Sequence, residues 1–452
     1  VTRAIGRPAP RAASLLHEGP EAHAVGITIR ADCSAVAPRR DSADSRAGHA
    51  HSPESQLRQG RRRAPKGQCD EQARAGQRRR MAQVGLRVRI HPDGDRRGSF
   101  FAEACAHLGL GMTSGASASP DDTARQRPPT RPVRWGMIGC GAVTEVKSGP
   151  AFQLAEGSAL VAVATRRAEA ARDYAHRHGV PAAFESIDAL IASDDVDAVY
   201  IATPPASHLE LALKVARAGK PCCVEKPMAL NHAQCVEMVE AFEARGLPLF
   251  VSYYRRSLPR FSRVKHWLDE GRIGEVRDVR WHLVKPPSPR DLAGEPNWRT
   301  DPDASPGGYF SDLASHGLDL LQHLLGDIEA VCGWAVNQQG LYRAEDAVVA
   351  SWRFASGALG SGSWNFGGSE RRDDVEIIGA RGSIRFSVFD DVPLHLWVDG
   401  VEISESIEHP TNIQLHHVAN MIRHLRGDAR HPALGVEAAK TSRVMDRILG
   451  AC

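Results

Sequence analysis

An α/β fold is predicted here, with a doubly wound parallel sheet followed by an α+β region on a mainly antiparallel open sheet. Three observations predict it. From Val133 onward, apolar runs alternate with amphipathic stretches; a glycine-rich turn closes the first run; after Tyr254, longer segments alternate every second residue. Parallel strands buried on both faces read as continuous apolar runs, whereas a sheet with one covered face reads with period two. The 452-residue chain is long enough for several cores, and its 42% hydrophobic and 25% charged content is ordinary for a globular protein.

Residues 133–138 read as the first strand, and residues 145–156, after the turn, as a helix. Strands follow at 159–165, 197–202, 222–225 and 249–253, with helices at 168–178, 207–218 and 232–244 between them. Short loops and helical crossovers imply parallel pairing. The second region carries strands at 275–284, 330–336, 347–354, 357–364 and 375–378 and a helix at 310–325. Helical periodicity at 415–425 and 436–449 places two closing helices back on the body. The domains expected are therefore residues 1–130, an extension; 131–254, the parallel sheet; and 255–452, the α+β domain.

Residues 1–130 are rich in Arg, Ala, Gly, Ser, Pro and His and lack sustained apolar periodicity. Such a segment cannot bury enough surface to offset its ordering entropy, so it is expected to be disordered. Met112-Thr113-Ser114-Gly115 reads as a short polar leader into the first strand, and the sequence before it resembles translated noncoding sequence. Residues 1–111 are accordingly expected not to belong to the natural protein.

The net charge of +3 is concentrated in arginine runs such as Arg61-Arg62-Arg63 and Arg78-Arg79-Arg80. Beyond Val133 no basic stripe marks a nucleic-acid surface. No stretch reaches the roughly 18 apolar residues that span a bilayer. Arg96-Arg97 precedes a partly apolar segment, like a twin-arginine signal, but Glu103 and His107 interrupt it. The 9 cysteines show no C-x-x-C spacing and read as reduced thiols. A cytoplasmic protein is expected.

Gly139-x-Gly141-Ala142-Val143-Thr144, between a strand and a helix, is a dinucleotide fingerprint with threonine in place of the third glycine. Its first glycines permit the tight turn and let the backbone approach a pyrophosphate at the helix N-terminus, as in Rossmann-type domains. Thr144 is expected to add a hydroxyl to that phosphate site. The second strand ends in Thr165-Arg166-Arg167, with no carboxylate before Glu169. Two guanidiniums suit a 2′-phosphate, so NADP is favoured over NAD.

Thr203-Pro204-Pro205-x-x-His208 lies at the same carboxyl edge, the prolines fixing a rigid turn and His208 expected as a cofactor contact. Glu225-Lys226-Pro227 ends the apolar run of residues 221–224 at the crevice where doubly wound sheets bind ligands. In the long loop 285–308, Trp298, Arg299 and Asp301 suit a polyol, and Tyr254-Arg255 just past the sixth strand carries a similar reading. His409, His416 and His417 lack neighbours at ligand spacing, so no metal is expected.

These motifs, with Gly307-Gly308-Tyr309-Phe310-x-Asp312-x-x-x-His316-x-x-Asp319, resemble the Gfo/Idh/MocA oxidoreductases over roughly residues 133–450. The resemblance implies a Rossmann domain that holds NAD(P) and a mostly β domain that supplies the substrate face and the oligomer interface. It makes Lys226 the motif lysine and matches Asp312 and His316 to the family's catalytic Asp and His. Chemistry points the same way: oxidising a secondary alcohol needs a base near neutral pKa, His316, and a cation beside the developing alkoxide, Lys226. Asp312, four residues before His316 on the expected helix, would share its face and orient the imidazole.

The leading reading is an NADP- or NAD-dependent dehydrogenase or reductase of a sugar, polyol or related hydroxy or keto compound, forming a homodimer or homotetramer. A glycosidase or epimerase that oxidises transiently with a retained nicotinamide would keep the same residues. A non-catalytic dinucleotide sensor would not need Lys226, Asp312 and His316 intact.

Overall fold

The computed structural model describes residues 27–31 and 131–450. Within the first 130 residues, expected to be disordered, it describes a strand, β1 (Ile27–Ala31), which pairs antiparallel with residues 401–405; five residues carry too short a period to signal it. The rest of the extension, including the Met112 leader and the Arg96-Arg97 segment, lies outside the described residues.

The nucleotide-binding half contains β2 (Val133–Ile138), α1 (Ala142–Val146), α2 (Ser148–Leu154), β3 (Ser158–Ala164), α3 (Ala168–His178), β4 (Ala182–Phe184) and α4 (Ile187–Ala192). It continues through β5 (Ala198–Ile201), α5 (His208–Arg217), β6 (Cys222–Val224), α6 (His232–Glu243) and β7 (Leu249–Val251). All six strands are parallel in the order β4-β3-β2-β5-β6-β7, so the order reverses between β2 and β5. Ligands bind outside the strand ends at such a reversal. Both faces are covered: along β5, Ala198 and Tyr200 enter one core while Val199 and Ile201 enter the other.

The expected helix at 145–156 is instead two short helices. Pro150 brings no amide donor, and the Thr144 carbonyl accepts from the Tyr174 hydroxyl at 2.8 Å, which interrupts the helical ladder. Strand β4 and helix α4 were missed because three half-buried residues and one and a half turns give no measurable period.

The second half opens with α7 (Pro259–Asp269), β8 (Val276–Val284), a single turn α8 (Pro289–Leu292), and a π turn at Phe310–Ala314 that runs into α9 (Ser315–Leu325). Then follow β9 (Ile328–Val336), β10 (Ala347–Phe354), β11 (Leu359–Asn365), β12 (Arg372–Gly379), β13 (Gly382–Phe386), β14 (Leu394–Val398) and β15 (Val401–Glu405). The nine-stranded sheet has the order β1-β15-β14-β13-β12-β8-β11-β10-β9 and is antiparallel except where β11 meets β8. Its inner face packs Trp281, Leu283, Trp352 and Trp364 against Leu318 and Leu321 of α9. Gly317 is required there, since a Cβ would lie 2.2 Å from the Trp281 ring. The outer face is open, with Trp334 directly opposite Val349 and both exposed.

The closing helices α10 (Leu415–Leu425) and α11 (Gly435–Ile448) match the periodicity and join the halves. Val418 and Met421 of α10 enter the parallel-sheet core, whereas α11 sends Ala438 there and Val444 into the second core. No described helix is long and apolar enough to cross a membrane.

Candidate active site

A groove follows the carboxyl ends of the parallel strands. One, the outer section, about 650 Å³, is lined by Gly139, Cys140, Thr165, Arg166 and Lys214; the other, the reaction section, about 560 Å³, by Lys226, Arg255, Asp312 and His316. Gly141, Ala202, Thr203 and Pro204 line both, so the sections meet at the strand reversal.

The groove fits a dinucleotide. Gly139 adopts φ +103°, and a Cβ there would lie 2.9 Å from the Ala202 carbonyl. Gly141 faces open space, so its backbone is accessible where α1 begins. Ala142 and Val143 line the reaction section beside it. Thr144 does not supply a free hydroxyl: it is buried and donates to the Gly141 carbonyl at 2.8 Å, holding the turn from behind. Arg166 lines the outer section with Thr165, whereas Arg167 is exposed outside it. Among the described residues, neither arginine has an acidic partner.

His208 is not a groove residue. It is fully buried, with Nε2 2.7 Å from the Thr203 carbonyl and Nδ1 3.1 Å from that of Pro227, so it ties two loops together. Burial pushes its imidazole below the ordinary value, and a neutral ring can donate from only one nitrogen at a time. Pro205 is also buried and turned away, toward α11.

Lys226 follows β6 at a cis peptide to Pro227. Its Nζ donates to the Asp312 carboxylate at 2.6 Å and to the Asp312 carbonyl at 2.7 Å. Glu225 is buried beneath it, accepting from the Tyr200 hydroxyl at 2.6 Å and the Lys226 amide at 3.2 Å. The expected Asp312–His316 pair is absent. The second Asp312 oxygen accepts from Arg299 at 3.1 Å, and two cations hold a carboxylate more strongly than a neutral imidazole does. Burial alone would raise the Asp312 carboxyl, but Lys226 and Arg299 outweigh it and hold it low.

His316 lies in an aromatic enclosure, its ring 5.1 Å from Tyr254 and 6.1 Å from both Tyr253 and Phe389. Its Nδ1 is buried without a partner among the described residues. Burial, and then the charges of Lys226, Arg255 and Lys147, push its pKa well below the ordinary 6.5. The ring is therefore neutral near pH 7 and can accept a proton.

Tyr254, Arg255, Trp298 and Arg299 all line the reaction section. Asp301 does not; it pairs with Arg343 at 3.3 Å on the far side of the loop. Sequence reasoning missed Lys147, Phe389 and Gln414, which reach the section from distant segments. Lys147 alone had a signal, its place just after the glycine turn. Among the described residues no cluster of His, Cys, Asp and Glu could hold a metal; His417 is instead buried against His431 at 4.7 Å.

A model of the oxidoreductase family with an NAD-binding Rossmann fold matches residues 133–253, and one of the GFO/IDH/MocA C-terminal domain matches residues 261–385. The chain belongs to the Gfo/Idh/MocA family. It is 37% identical to Oxidoreductase P35 of Formosa agariphila over 319 residues, 70% of this chain and 98% of that one. It is 31% identical to the 1,5-anhydro-D-fructose reductase of Ensifer adhaerens over 56% of this chain and 74% of that protein. The WlbA dehydrogenase of Bordetella pertussis, solved with NADH and UDP-GlcNAcA, superposes with a TM-score of 0.61 at 26% identity, covering 70% of this chain and 95% of the other. This Gfo/Idh/MocA protein is thus an NAD(P)-dependent oxidoreductase acting on CH–OH groups.

Proposed function

We propose that the enzyme interconverts a secondary alcohol and a ketone on a sugar or polyol, with Lys226 and His316 at the reacting oxygen. The observation that carries this reading is that both side chains line one section of the groove, continuous with the glycine turn. A bound nicotinamide supplies or accepts the hydride. His316 takes the hydroxyl proton in oxidation and returns it in reduction. Lys226, held by Asp312, presents ammonium protons to the oxygen as negative charge develops there. Glu225 fixes the start of that loop through Tyr200, and the Tyr253, Tyr254 and Phe389 rings exclude water from His316.

Arg166, at the groove wall, favours NADP in this reading, whereas Arg167 lies outside it. The open sheet face, with Trp334, Val349 and Leu359 exposed, fits a second copy, giving a homodimer or homotetramer. The free thiols at Cys140, Cys222, Cys223, Cys235 and Cys332 suit a cytoplasmic, reducing compartment.

The test is a screen of sugars and polyols against NAD and NADP, in both directions, read as reduced-nicotinamide absorbance. Lys226→Ala and His316→Ala should each lower kcat by about 100-fold or more. If neither lowers turnover of an identified substrate, the assignment is wrong.

A further inference from the structure

Among the described residues three arginines are buried beyond nine-tenths: Arg255, Arg256 and Arg260. Two of them have internal counter-charges and hydrogen bonds. Arg256 makes two hydrogen bonds to Asp319, at 2.7 and 2.6 Å, and one to the Pro432 carbonyl. Arg260 donates to Asp391 and to the carbonyls of Asp390 and Val392. Arg255 differs: among the described residues its guanidinium donates no hydrogen bond and meets no carboxylate, and its Nε, like that of Arg260, is buried without a partner. It lies against two neutral rings, 4.4 Å from the Phe389 centroid and 5.2 Å from that of Tyr254. It is also the one of the three that lines the reaction section.

A buried charge without a counter-charge is costly, so an arginine left in that state at a cavity wall is poised for an anion that arrives with a ligand. The carboxylates of the section are already engaged, Glu225 by Tyr200 and Gln414, Asp312 by Lys226 and Arg299. Lys147, Lys226, Arg255 and Arg299 make four cations there against those two carboxylates.

We infer that the substrate is an anionic sugar, bearing a carboxylate or a phosphate that docks on Arg255. This rests on the alcohol–ketone reading above and names the substrate class within it. The planar guanidinium, packed on rings, keeps its edge for two parallel hydrogen bonds to such an anion. The anion also offsets the positive field on His316 and makes its imidazole a better proton acceptor once substrate is bound. In oxidation the carbinol hydrogen leaves as hydride to NAD(P)+, the hydroxyl proton passes to His316, a ketone forms, and the anionic group is unchanged.

The test compares matched pairs on the full chain with saturating cofactor: glucuronate against glucose, galacturonate against galactose, and glucose 6-phosphate against glucose. Two readouts are used, kcat/KM and calorimetric binding to the cofactor-loaded Lys226→Met variant. At least one acid or phosphate should exceed its neutral partner by about 10- to 100-fold in both, with a KM that rises with ionic strength. Preference for the uronates assigns a carboxylate to Arg255, and preference for the sugar phosphate assigns a phosphate. Arg255→Gln should collapse the acid-to-neutral ratio toward one, and Arg255→Lys should keep part of it. Neutral sugars used as well as their anionic partners would overturn the inference while leaving the dehydrogenase reading intact. So would an Arg255→Gln protein that loses affinity for the cofactor rather than for the acid. If no sugar of either kind is bound or oxidised, the dehydrogenase reading fails as well. The wild-type comparison decides even if Arg255→Gln does not fold.

Discussion

Asp312 is bonded to Lys226 and not to His316, the histidine four residues further along the chain. The carboxylate therefore positions the lysine, and the buried Nδ1 of His316 has no partner among the described residues. Both side chains of the ion pair are nearly buried, at 12% and 13% exposure, so their geometry is sharply defined.

Asp312→Asn keeps an acceptor for Nζ and removes the charge. We expect kcat to fall by about 10- to 100-fold, because the ammonium is less well aimed. Removing the charge leaves Lys226 less neutralised near His316, so the acid-side loss of activity should stay in place or move to lower pH. A pH–rate profile of the variant checks this; an acid limb displaced to higher pH would overturn it.

With His316 as the proposed base, the pH dependence of the wild-type enzyme follows from that residue. Oxidation needs the neutral imidazole, whose fraction falls as pH drops through its pKa, and that pKa is pushed below 6.5 by burial and neighbouring cations. The acid limb of kcat/KM for oxidation should thus lie below pH 6.5. Reduction needs the protonated ring, so its rate should decline as pH rises through the same value.

Arg166 lines the outer groove and Arg167 does not, which separates their roles. Arg166→Gln should weaken NADP by about 10-fold or more and NAD far less, as read by fluorescence titration of each cofactor. Equal loss for both cofactors would show that Arg166 does not read the 2′-phosphate.

Arg256 and Asp319 form a buried bidentate pair, 5% and 1% exposed, between the turn after the sixth parallel strand and α9. Removing one partner strands the other charge, so Asp319→Ala should cost about 3–5 kcal/mol of stability in denaturant unfolding.

Another buried imidazole contributes to the acid sensitivity of the fold. Burial lowers His417 from 6.5 to about 3. The unfolded chain then takes up a proton that the folded one refuses, so stability is complete above pH 6.5 and falls as pH drops from 6.5 toward 3. The slope from this one group is about 1.4 kcal/mol per pH unit. His417→Phe should flatten that part of a thermal-melting series if the ring is accommodated; His417→Gln checks the result with a smaller side chain.

The parallel sheet was legible because its strands are buried on both faces and spell unbroken apolar runs, as in residues 198–201. Strands β13 to β15 were not, since Gly382, Arg385, His395 and Glu402 dilute a period of only five residues each. Helix α7 was hidden by charge, with Arg260 and Arg263 on faces that turn out to meet Asp391 and Glu405. At the site, motif spacing located Lys226, Asp312 and His316 but not their pairing. Linear distance along a helix says nothing of a lysine 86 residues away. Phe389 and Gln414 had no local signal, because only the fold brings their segments to the groove.

Trp281 touches α9 at Gly317, beside His316, while its strand neighbours Arg280 and His282 point out from the open face. The thickness of one strand and one indole ring therefore lies between the helix that carries His316 and the exposed outer surface of the sheet.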